Sequence, residues 1–68
     1  MKIFQERLIE LRKQNGYTQQ MVAEVLRIKQ PSYIRYEKGY AEPSLENLVK
    51  IADLFDVSVD YLLGRADF

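Results

Sequence analysis

The stretch QPSYIRYEKG, residues 30–39, gathers the side chains most able to do recognition chemistry. Arg35 and Lys38 stand three apart and share one face of a helix. Pro31 near the start and Gly39 at the end bracket that helix. Two fixed positive charges on one face suit a phosphate backbone, and they suit an ordinary solvated surface as well. Other chemistries have less to work with. The chain lacks Cys, which removes disulfides and thiolate zinc sites, and lacks His, the commonest general base and metal ligand. No acidic loop has the spacing of a calcium site, and no nucleophile–base pair is evident. The expectation is therefore no enzyme, no metal and no cofactor.

The formal net charge is zero, but it is unevenly spread. Residues 1–40 carry eight Lys/Arg against four Glu, a net of +4; residues 41–68 carry two against six acids, a net of −4. The basic half contains QPSYIRYEKG. Charge alone does not separate a nucleic-acid face from a chance split in a small chain.

These side chains need a scaffold. Sixty-eight residues fit one domain, 1–68, with a small core and marginal stability. Glu6, Arg7 and Glu10 interrupt MKIFQERLIEL, so it is no secretory leader, and no apolar run approaches a membrane span. A cytoplasmic domain is expected. Phe4, Leu8 and Leu11 recur at i, i+4, i+7, which predicts an amphipathic helix over about 3–14, stopped by Asn15-Gly16. Thr18 caps a second helix over about 19–26. The third runs over about 30–38. Pro43 keeps YAEP a loop, and Ser44 caps a fourth helix over about 45–55. Ser58 caps a short fifth over about 59–63, and Gly64 leaves RADF as a frayed tail. The fold class is all-α, a compact bundle of five short helices.

A second helix followed, after a short turn, by a short basic one is a helix-turn-helix pair, here over about 18–38. The segments TQQMVAEVLRIKQ, QPSYIRYEKG and EPSLENLVKIADLFDVSVDYLLG, in that order, make the chain resemble the phage repressor/Cro-type (XRE) helix-turn-helix domains over residues 4–64. The resemblance implies a lambda repressor-like DNA-binding fold. It implies an ion pair between Arg12, late in the first helix, and Glu37, near the end of the third, where an acid facing the helix dipole needs a cation. It implies close helix crossing at Ala23, and core positions at Leu26, Ile28, Tyr33 and Tyr36, the tyrosine hydroxyls reaching the rim. Base contacts carry over to Gln30, Pro31, Ser32 and Arg35. Gln suits adenine N6 and N7, Arg suits guanine O6 and N7, and Pro can touch a thymine methyl or shape the approach. Phosphate contacts fall on Gln19, Lys29, Lys38 and Tyr40. A homodimer through Tyr61, Leu63 and Phe68 is implied as well.

Departures from that family are informative. Arg27 stands where the turn usually has glycine, so it must turn left-handed at some cost or alter the turn. Lys29 stands where a capping serine is usual, which starts the third helix less firmly. Met21, Val25 and Ile34 are apolar at positions expected to be exposed. They read as scattered surface residues or as a patch for a protein partner. The leading reading is a sequence-specific double-stranded DNA-binding transcriptional regulator, a repressor. The alternative is a protein-interaction module on the same fold, an antitoxin or antirepressor component.

Overall fold

The computed structural model describes all 68 residues. Five helices follow in order: α1 (Lys2–Gln14), α2 (Gln19–Leu26), α3 (Gln30–Lys38), α4 (Leu45–Phe55) and α5 (Val59–Leu62). The expected boundaries are met within one residue. The first helix starts earlier because the Met1 carbonyl accepts from the Gln5 N–H at 3.2 Å. The last ends at Leu62, and Leu63 is already outside helical geometry.

One fully buried side chain from each helix meets in the centre: Leu8, Val22, Tyr33, Ile51 and Leu62. All five helices thus share one core, and truncating any of these would remove transfer energy and leave a cavity. Ala23 is also fully buried, and α2 packs most extensively against α3. Ile28 is half-buried against the core, while Leu26 and Tyr36 belong to it.

Helix starts follow the capping residues. The hydroxyls of Thr18, Ser44 and Ser58 accept from the backbone N–H of Met21 (3.1 Å), Asn47 (3.1 Å) and Tyr61 (2.9 Å). Such caps contribute about 1 kcal/mol each. The third helix differs: Lys29 occupies the cap position and makes no side-chain cap bond. Its carbonyl instead accepts from Ser32 N–H (3.0 Å) and Tyr33 N–H (3.1 Å). At the other end, Gly39 turns left-handed, and a Cβ there would meet the Gln5 side-chain amide at 2.6 Å. The left-handed turn requires glycine, whereas the Gln5 amide is the movable end of a flexible side chain.

The tail has no regular structure, but two of its carbonyls accept hydrogen bonds from the body of the domain. Arg7 stacks over the Tyr61 ring at 4.1 Å and donates to the Tyr61 carbonyl. It also donates to the Ala66 carbonyl at 2.8 Å, and the Ser58 hydroxyl reaches the Phe68 carbonyl at 3.3 Å. The sequence shows Arg7 only as a charge that breaks an apolar run. Its use as a clasp on residues more than fifty positions away has no local signal.

Arg27 takes the left-handed conformation, φ 58 and ψ 41. Asp56 does so at φ 54, but Asp tolerates this region far better than Arg. Arg27→Gly is therefore expected to raise stability by about 0.5–1 kcal/mol, the left-handed strain relieved less the extra freedom of the unfolded chain. Asp56→Gly should gain less. Urea melts of the two variants beside the parent check this; equal gains, or a loss at Arg27, would refute it.

Candidate nucleic-acid interface

The third helix is held from its inner side by a single carboxylate. Arg12 meets Glu37 through two bonds, Nε to Oε2 at 2.6 Å and the terminal nitrogen to Oε1 at 3.1 Å. The Tyr33 hydroxyl donates to Oε2, and Gln19 Nε2 donates to Oε1 at 3.1 Å. Arg12 continues to the Tyr17 carbonyl at 3.1 Å. The two charged side chains are nearly out of solvent, 12 % and 5 % exposed. One cluster thereby ties α1, the start of α2 and the end of α3 together.

The electrostatics follow from that geometry. Burial disfavours the Glu37 carboxylate, but the bonds from Arg12, Tyr33 and Gln19 outweigh it, so its carboxyl lies below the ordinary value. The bond to Glu37 is the main reason that Arg12 is held more firmly charged. Burial, then the same carboxylate, pushes the Tyr33 phenol well up, so it stays a donor.

The outer side of α3 carries Pro31, Ser32, Arg35 and Lys38, all exposed. Gln30 is half-buried at its margin. Arg27 and Lys29 are exposed in the preceding turn, and Tyr40, after Gly39, is 71 % exposed. The ion pairs of the chain are Arg12–Glu37, Lys50–Glu46 and Arg65–Asp60. Arg27, Lys29, Arg35 and Lys38 therefore stand without a carboxylate partner. Four free cations on one helix and its leading turn form a surface suited to an anionic backbone.

Several expected positions lie elsewhere than anticipated. Gln19 is turned toward Glu37, which uses one of its two amide N–H donors and leaves the other. The Tyr33 hydroxyl points to the core carboxylate rather than the rim, and the Tyr36 hydroxyl accepts from Asn47 at 3.3 Å. The i, i+4 spacing of Tyr33 and Glu37 already permits their bond; the reach of Gln19 across 18 residues has no local signal. Ile34 is half-buried, not exposed. Met21 and Val25 are exposed and line an open groove of about 440 Å³ with Tyr17, Glu24 and Leu54. Tyr61 is half-buried under Arg7, Leu63 is half-buried, and Phe68 is 92 % exposed. No group of side chains is arranged to hold a metal, and no helix is long and apolar enough to cross a membrane.

An exposed basic helix after a tight turn, buttressed by a helix behind it, is the architecture of the helix-turn-helix proteins. Residues 8–62 match the Helix-turn-helix family, and the chain belongs to it, in its XRE-type branch. The chain is 50 % identical over 60 residues to the HTH-type transcriptional regulator AnsR of Bacillus subtilis, covering 88 % of this chain and 52 % of AnsR. It is 48 % identical over 65 residues to the cryptic phage CTXphi transcriptional repressor RstR of Vibrio cholerae, covering 96 % and 57 %. A crystal structure of a transcriptional regulator from Listeria innocua superposes with a TM-score of 0.87 at 32 % identity, over 93 % of this chain and 59 % of that one. The chain thus spans a little over half of these relatives. They are named as regulators, and the family is not one of enzymes.

Two expected outcomes follow from the Glu37 cluster. Arg12→Met leaves a buried carboxylate short of its cation and should cost about 3–5 kcal/mol, whereas adding Glu37→Met should restore part of that loss. Additive losses in the double-mutant cycle would show that the pair is not coupled. The second outcome concerns pH. Because the folded carboxyl lies below its ordinary 4.5, its contribution is complete above that pH and is lost as pH falls through the folded value. Glu37→Gln should therefore destabilise strongly at pH 6 and much less near pH 3, measured by urea unfolding. An equal penalty at both would contradict the assignment.

Proposed function

We propose that residues 1–68 form a single DNA-binding domain of a transcriptional regulator, a repressor that sets α3 in the major groove of an operator half-site. The observation that carries this reading is the strip of unpaired cations on α3 and its leading turn. Gln30, Pro31, Ser32 and Arg35 face bases. Gln30 suits adenine and Arg35 guanine, each through two hydrogen bonds. Gln19, Lys29, Lys38 and Tyr40 meet phosphates and set the register. Gln19 does so with the amide N–H that Glu37 leaves free. The naming of RstR as a phage repressor is the support for repression. A homodimer through Tyr61, Leu63 and Phe68 would present two α3 helices to half-sites about one turn, ~34 Å, apart. The compartment is the cytoplasm, where such a regulator meets its DNA.

A second reading has its own observation. The groove of Tyr17, Met21, Val25 and Leu54 offers apolar surface to a protein partner, as in an antitoxin or antirepressor component.

Selection of duplexes from a random pool tests the first reading and reports the spacing of any palindrome. Binding should weaken steeply with salt. Arg35→Ala should lose about 1–3 kcal/mol on the selected site and relax one position, while Lys38→Ala should weaken all sequences alike. If no duplex is preferred at low salt, the reading is wrong.

A further inference from the structure

Ile34 is the side chain of QPSYIRYEKG that neither the core nor the charged face accounts for. It is half-buried, yet it is not among the residues packed against the core. Gln30 and Lys38 lie one turn before and after it, and Pro31 lies three residues before, so all three are its neighbours on the helix surface. Pro31 is exposed and has no N–H to offer. The two form an apolar strip between the amide of Gln30 and the guanidinium of Arg35. On the edges of bases in the major groove, the apolar feature is the C5-methyl of thymine. A strip flanked by hydrogen-bonding groups matches a methyl flanked by donors and acceptors.

We infer that Ile34, with Pro31 beside it, seats a thymine C5-methyl and is a specificity-determining residue; this rests on the groove reading of α3 proposed above. Four residues of helix advance ~6 Å, close to two steps of 3.4 Å along a strand. The thymine therefore lies within about two base pairs of the base that Gln30 faces. Ile34 discriminates by contact, since it has no donor or acceptor, so its effect is confined to the methyl.

Deoxyuridine lacks that methyl and keeps the pairing edge of thymine. In the duplex obtained by selection, each thymine is replaced in turn by deoxyuridine, and affinity is measured for the parent, Ile34→Ala and Ile34→Thr. The parent should lose about three- to tenfold at one thymine, the size expected for one buried methyl. Ile34→Ala should bind the thymine duplex more weakly by a similar factor and show no further loss on deoxyuridine there. Ile34→Thr keeps a methyl and should retain part of the sensitivity. Thermal melts establish that both variants are folded, which the position of Ile34 outside the core favours. A parent indifferent to every deoxyuridine, or an Ile34→Ala variant with undiminished sensitivity, overturns this inference and leaves the groove reading standing. A parent that prefers no duplex overturns both.

Discussion

A carboxylate in the last turn of a helix faces the negative end of the dipole, and a buried one also loses its water. Glu37 has both disadvantages, and the surrounding structure is arranged to answer them. Four hydrogen bonds converge on its two oxygens, from Arg12 twice, Tyr33 and Gln19. Removing water from such a group is tolerable only when its acceptor sites are filled. The donors come from three different helices, so satisfying one charge fixes their relative position. Apolar packing alone would hold these helices together with less preference for one register, because burial is non-directional.

That division of labour runs along α3. Its inner side is occupied by Tyr33, Tyr36 and Glu37, all buried. The side chains on its outer side, Pro31, Ser32, Arg35 and Lys38, are exposed and enter no ion pair within the fold. Zero net charge is compatible with this. The only acid on α3 is neutralised internally, and most of the others belong to α4, α5 and the segments after Gly39. A phosphate approaching α3 meets cations at short range, where the local field outweighs the distant sum.

Much of the helical scaffold was legible in the sequence because its signals are local. Thr18, Ser44 and Ser58 mark helix starts, Gly16 and Gly39 mark ends, and the spacing of Phe4, Leu8 and Leu11 marks a buried face. The Arg12–Glu37 pair was suggested by resemblance and has a physical reason in the dipole. What escaped is long-range. Gln19 reaching Glu37, and Arg7 clasping Tyr61 and Ala66, depend on the packing of whole helices and leave no periodicity. Ile34 escaped for a different reason: its half-burial depends on what lies beside α3 in the folded chain, which the pattern of one helix does not contain.

The two ends of α3 differ in how firmly they are held. Its C-terminal end has Glu37, the left-handed Gly39 and the Gln5 side chain packed against that glycine. Its N-terminal end begins at Lys29, without a side-chain cap, after a left-handed Arg27. The missing cap costs less than it would elsewhere. Pro31 has no N–H to satisfy, and the Lys29 carbonyl takes both Ser32 and Tyr33. The Lys29 and Gln30 N–H groups remain without a protein acceptor at that end. The two departures in the turn, at Arg27 and at Lys29, place two added cations at the start of the helix, where the dipole is positive. Each change moves in the same direction. Local stability is given up at the end where the cations gather, while the far end keeps the Arg12–Glu37 bonds and the left-handed Gly39.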